Sequence, residues 1–311
     1  MTLALSIQGP SYTIVLADQR LTEAGIPVTE HSNKLLAVHA RDGRFGVAYA
    51  GLAYSQDRTF VTRDWILKSA VRAAAGDPTY LGITSGLARE AATTFGSHPA
   101  IMPMSSRQQR LTILIAGVTN ERPPISRLAL ISNFQDFETR IDSPEAWKEF
   151  RIMRWKVADP TSQTSICVQR IGAWQALRER RAIRIEAALK NQKPAKTVAE
   201  MAAGLLREAS SEREGQTIGM QVSGIIIPHD ETREIELWFN TSIPTDEAFV
   251  PDFINAAQPG LPVYGRFTKL AKVREKETAS PAWIPRVRRK ERCPCGSGKR
   301  YGACHGQRGR K

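Results

Sequence analysis

The stretch that decides the fold is residues 2–28, TLALSIQGPSYTIVLADQRLTEAGIPV. Two runs rich in Thr, Leu, Ile, Val and Tyr, 2–8 and 11–18, flank Gly9-Pro10, the pattern of two strands around a turn. The first strand begins directly behind Met1. Extended sequence frays at a terminus unless a sheet ties it down, so the pattern predicts that residue 2 is held in place. Chemistry at the terminus itself is one reason to hold it. Removal of Met1, ordinary where a small residue follows, leaves a threonine whose hydroxyl is a nucleophile. Its α-amine, with a pKa of ~7.7 to 8.0, is placed to act as base.

Outward from this stretch, KLLAVHA (34–40) and RFGVAYAG (44–51) flank Arg41-Asp42-Gly43, a hairpin signal, and the four strands are expected in one antiparallel sheet. Residues 55–96 carry Ala, Leu, Arg and Glu at helical spacing, broken at Gly76-Asp77-Pro78 into two helices. LTILIAGV (111–118) and RLALISNF (127–134) read as strands, and 134–170 has no readable pattern. Helices are expected over 172–191 and 197–210, then strands in TIGMQVSGIIIP (217–228) and REIELWF (233–239). This order predicts an α+β chain with two sheets sandwiched between helical layers. The pattern stops near Gln258. The expected division is a body at 2–257, a basic linker with Pro281 and Pro285 at 258–289, and a small terminal module at 290–308.

Three segments of the body, ADQRLTEAGIPV (17–28), HSNKLLAV (31–38) and GVAYAGLAYSQD (46–57), resemble the proteasome-type N-terminal nucleophile hydrolases, the family of proteasome β-subunits and their simpler bacterial relatives. Asp18 and Lys34 stand 16 and 32 positions after Thr2, the offsets of that family's catalytic aspartate and lysine. ILIAGVTNERPPISRLALIS (113–132) is similar to its paired strands. The resemblance covers about residues 2–240, most closely the first 60. It implies a four-layer αββα sandwich, Thr2 as nucleophile, Lys34 as the neighbouring cation and Asp18 as its orienting partner. It also implies a homo-oligomer assembled through the helical layers, acting on a peptide or protein substrate. Gly51 is the expected oxyanion donor, with Gly46 nearby, and Ser223 in GMQVSG (219–224) matches the family's serine before glycine and counts among the expected catalytic residues. Two positions depart from the family: Ile171, Gly172 and Ala173 stand where a serine is usual, and Met220 stands where an aspartate is usual.

A net charge of +13 suggests a nucleic-acid binder until it is divided along the chain. Residues 261–311 hold 15 Lys and Arg against 3 Asp and Glu, leaving 29 against 28 in the body. An anionic partner therefore belongs to the tail. The cysteines are Cys167, Cys293, Cys295 and Cys304, which make no disulfide framework and fit a reducing compartment. With Arg20 the first basic residue and no apolar run of about 18, neither a secretory signal nor a membrane span is readable, and a cytoplasmic location is expected. Cys167 has no activating neighbour in the sequence and reads as an apolar residue.

RCPCGSGKRYGACHG (292–306) supplies three thiolates and one imidazole, a closed tetrahedral set suited to structural Zn2+, with Cys293, Cys295, Cys304 and His305 as ligands. Gly296, Ser297 and Gly298 allow the turn between them, and so short a segment needs the metal to fold. The stretch resembles the SEC-C motif, which in its relatives is an adaptor for other proteins. The basic run RVRRKER (286–292) suits an acidic protein, an anionic lipid or the phosphates of ribosomal or other nucleic acid, without the aromatic interleaving of a stacking platform. Two functions are open: a threonine amidohydrolase, foremost a peptidase, with a zinc adaptor tail; or an inactive proteasome-like scaffold whose zinc tail binds protein or ribosome.

Overall fold

The computed structural model describes residues 2–23, 26–29, 32–139, 141–158, 166–211, 217–240, 251–258, 262–265 and 300. Strands β1 (Leu3–Gln8) and β2 (Tyr12–Asp18) come first, then β3 (Leu21–Glu23), β4 (Ile26–Thr29), β5 (Leu35–Ala40) and β6 (Gly43–Gly51). Helices α1 (Thr62–Gly76) and α2 (Tyr80–Glu90) follow, the second running into a π-helical turn at Ala91–Phe95. Next come β7 (Leu111–Thr119), β8 (Ile125–Ser132), β9 (Gln135–Asp136), β10 (Ile141–Asp142), β11 (Arg151–Ala158) and β12 (Cys167–Gly172). Helices α3 (Glu179–Lys190) and α4 (Ala195–Ser210) precede β13 (Val222–Pro228), β14 (Glu236–Asn240), β15 (Asp252–Asn255) and β16 (Val263–Gly265). The chain divides into two units, Met1–Ala271 and Lys272–Lys311. Of the second, Arg300 alone is described.

Two large sheets organise the first unit. One runs β12-β1-β2-β13-β14 and is antiparallel throughout; the other runs β11-β8-β7-β6-β5-β15-β16, with a single parallel pair, β5 with β15. The hairpins β1-β2 and β5-β6 both form, but they fall in different sheets instead of one. The reason is burial: every residue of β1 is covered, so its sheet needs apolar material on both faces. Residues Leu3, Leu5, Leu16 and Ile226 cluster with Ile185, Val198, Ala202 and Leu206 of α3 and α4. The alternate residues Ala4, Val15, Ala17 and Ile225 cluster with Leu35, Ala48, Leu114 and Leu130 of the seven-stranded sheet. That sheet's other face, with Val38, Val47 and Ile113, is covered by Trp65, Ile66, Ile83 and Leu87 of α1 and α2.

Local chemistry explains the helix limits. In α4 the buried Val198, Ala199, Ala202, Ala203, Leu205, Leu206 and Ala209 make one apolar stripe at helical spacing. Thr79 caps α2 by accepting the Gly82 N–H. The expected helix over 172–191 begins only at Glu179: Gly172 closes β12, and Trp174–Ala176 form a single 3-10 turn. The stretch that carried no sequence pattern holds β9 to β12. β11 is an edge strand in which Arg151, Arg154 and Lys156 interrupt the apolar alternation. Among the described residues no helix is long and apolar enough to cross a membrane.

Candidate active site

The β1-β2 hairpin turns at Gly9, whose N–H donates to the Tyr12 carbonyl, and its register sets Ala4 opposite Ala17. One position further, the Asp18 carboxylate takes the place of a backbone partner: Oδ2 accepts the Leu3 N–H at 2.8 Å. Its Oδ1 accepts from the Arg20 N–H at 3.0 Å, the Gly219 N–H at 3.0 Å and Lys34 Nζ at 3.2 Å. Four donors thus converge on one buried carboxylate, which satisfies both of its oxygens.

Lys34 enters from the residue before β5. Its Nζ donates to Thr2 Oγ1 at 2.7 Å, to Asp18 Oδ1 and to the Arg20 carbonyl at 2.5 Å. An ammonium has three N–H bonds, and these acceptors surround it. Both charged side chains are sealed from solvent, and Thr2 is 7% exposed. Because Lys34 donates to Thr2 Oγ1, the hydroxyl proton is left to go elsewhere, and negative charge on that oxygen would face a cation in direct contact at 2.7 Å.

The backbone of Thr2 is anchored by a segment the sequence pattern missed. The Ala173 N–H donates to the Thr2 carbonyl at 2.9 Å, and Gly172 beside it has φ +80°. A Cβ on Gly172 would fall 1.9 Å from the Thr2 oxygen, so only glycine lets β12 approach. The Gln135 carboxamide grips Gly172 from the other side, accepting its N–H at 3.0 Å and donating to its carbonyl at 3.2 Å. Gln135 lies in the unpatterned stretch, and no signal in the sequence ties it to Gly172.

Gly51 ends β6 with φ +114°. The Leu52 N–H donates to the Arg110 carbonyl, so Gly51 and Leu111 form a non-hydrogen-bonded pair and the Gly51 N–H points away from β7. Ala50, the residue before it, packs against Gly172, 2.8 Å from where a Cβ would stand. Gly46 instead lies mid-strand between Ala37 and Ala116, with the Val15 side chain over it.

Ser223 sits opposite Ala17 on β13, buried, and its Oγ finds no hydrogen-bond partner among the described residues. It makes no bond to Thr2, Asp18 or Lys34. The neighbouring Gln221 is equally buried and neither end of its carboxamide has a partner among the described residues. Cys167 is part-buried, and burial pushes its thiol up to about 11, against the depressed values of activated cysteines. Cys293, Cys295, Cys304 and His305 lie outside the described residues. Among the described residues no group of three or more His, Cys, Asp or Glu could hold a metal.

Compared with known proteins, the chain has no curated protein that matches it. Among solved structures it is similar to Anbu (ancestral beta-subunit) from Yersinia bercovieri, at 13% identity, 77% coverage of this chain, 87% of that chain and a TM-score of 0.48. Residues 289–307 match the SEC-C motif, which contains all four residues expected to ligate zinc.

Proposed function

We propose that the chain is an N-terminal threonine amidohydrolase acting on peptide bonds, and that its body is a four-layer αββα sandwich. The observation that carries the reading is the buried contact of Lys34 Nζ with Thr2 Oγ1 at 2.7 Å, backed by Asp18. Once Met1 is removed, the freed α-amine takes the Oγ1 proton through a water. The Thr2 oxygen attacks the substrate carbonyl while Lys34 stabilises the developing alkoxide. The Gly51 N–H holds the oxyanion, a contribution of roughly 10² to 10³ in rate for one such donor. Collapse breaks the C–N bond, the leaving amine takes the proton back from the α-ammonium, and water hydrolyses the threonine ester. Ser223, next along β13 from the residue paired with Asp18, belongs to the same site in this reading. The missing family serine is offset by the Gly172–Ala173 backbone, which anchors the Thr2 carbonyl.

In this reading the terminal module binds Zn2+ through Cys293, Cys295, Cys304 and His305, a donor set that fits a closed structural site, and recruits a protein partner. The enzyme is cytoplasmic and assembles as a homo-oligomer. Intact-mass spectrometry before and after a peptide epoxyketone tests the catalytic half. Loss of Met1 and one adduct are expected, with none in Thr2→Ala and labelling slowed roughly 10²-fold or more in Lys34→Ala. Retained Met1, or a free Thr2 that never reacts, would overturn it. That outcome favours the second reading, a silent scaffold whose work is the zinc tail, for which Met220 and the motif at 289–307 speak.

A further inference from the structure

A second polar site lies away from Thr2, at the end of the seven-stranded sheet next to the start of α2. There β8 and β11 pair so that Arg127 stands directly opposite Lys156, and Arg154 lies two residues along the same face of β11. Like charges opposed across a ladder repel, so this juxtaposition is costly unless something anionic compensates it. Arg127 has Glu121, with which it makes an ion pair. Arg154 donates to the Ser85 hydroxyl at 2.8 Å, and Lys156 has no ion pair among the described residues. The three cations, with Asp42, Tyr80 and Thr119, line a cavity of about 220 Å³.

Tyr80 is the independent sign of a ligand. It is 6% exposed, its ring packs on Phe45 at 4.7 Å, and its hydroxyl has no hydrogen-bond partner among the described residues. Burial pushes the phenol pKa up while Arg154 and Arg127 act to lower it, so both guanidiniums bear on the phenol. The one carboxylate in the cavity, Asp42, accepts the Tyr80 N–H through Oδ1 at 2.7 Å and is outnumbered there by the three cations. A buried O–H without an acceptor costs free energy that a bound acceptor would return.

We propose that this cavity is a phosphoryl-binding site, in which one tetrahedral oxyanion accepts from Arg154, Lys156, Arg127 and the Tyr80 hydroxyl. A carboxylate offers two oxygens and leaves part of this fan of donors unused; a phosphate offers enough for all of them. The cavity is larger than phosphate alone requires, so the phosphoryl group of a small monoester fits as well as the free ion.

The test is calorimetric titration of the full-length protein with inorganic phosphate at fixed ionic strength, with chloride and acetate as controls and a small phosphomonoester as a second arm. Saturable phosphate binding is expected, weakened roughly 10-fold in Arg154→Ala and tightened in Glu121→Gln, which releases Arg127. Tyr80→Phe separates a ligand role from a structural one. With the unpaired hydroxyl removed, the phosphate-free protein should melt higher, by about 1 to 4 °C, while phosphate binding falls several-fold. Tighter binding of the monoester than of phosphate would identify a phosphorylated molecule as the ligand, and equal binding would identify the free ion. Phosphate binding no better than acetate, or unchanged in both Arg154→Ala and Tyr80→Phe, would overturn the proposal.

Discussion

At the scale of single residues, the Thr2 site depends on backbone fit as much as on charge. Gly172 occupies a left-handed conformation, and its missing Cβ is the space taken by the Thr2 carbonyl. Gly172→Ala should therefore destabilise the protein by about 2 to 4 kcal/mol, the sum of a steric overlap and an unfavourable φ, read as a shift in urea midpoint. It should also slow epoxyketone labelling, because β12 can no longer hold the terminus. A variant with wild-type stability and labelling would show that the approach of β12 to Thr2 is immaterial. Thr2, Asp18 and Lys34 could be singled out as candidates in the sequence because all three lie in the first 34 residues, at offsets that match those of the family the chain resembles. Gln135 and Gly172 were not, because their partnership spans 37 positions and rests on a carboxamide whose role no local pattern marks.

At the scale of elements, the end of β13 away from Thr2 is tied down by His229. Its Nδ1 donates to the Pro10 carbonyl at 2.9 Å, leaving Nε2 to accept from Thr13 Oγ1 of β2 at 3.2 Å and Ser126 Oγ of β8 at 3.5 Å. One ring thus joins the two sheets. Burial lowers its pKa from 6.5 to about 4; the Pro10 bond acts in the opposite direction and the Arg44 charge adds to the lowering. The folded state then binds fewer protons than the unfolded state between these values. The contribution, about 3 kcal/mol, is complete above pH 6.5 and is lost as pH falls towards 4. Urea midpoints between pH 7 and 4 should fall steeply in the wild type and less steeply in His229→Asn; parallel curves would refute the assignment. Elements with one strong periodicity, such as α4 and β7, were readable locally. The start of α3 was not: Gly172 and the turn at Trp174–Ala176 carry the same Ala and Leu content as a helix.

At the scale of the whole molecule, the body and the terminal module make separable claims. The body is stabilised by three apolar clusters, none of which needs a metal. The module at 289–307 is too short to have a core of its own. One zinc per chain is therefore expected by metal analysis, lost in Cys295→Ser and on strong chelation, with the melting of the body unchanged. A metal-free wild-type protein would remove the zinc assignment, and a body that melts with its zinc would remove the independence of the two parts. By itself the sequence determined most strand and helix runs and the separation of a near-neutral body from a basic tail, each written in neighbouring residues, while Thr2, Asp18 and Lys34 were marked as candidates by resemblance. Only the tertiary structure decided that the first two hairpins part into different sheets, that β12 and Gln135 clamp the terminus, and that cations of β8 and β11 line one cavity with Tyr80. Those outcomes follow from which faces bury against which, a competition among segments far apart in the chain that no local pattern encodes.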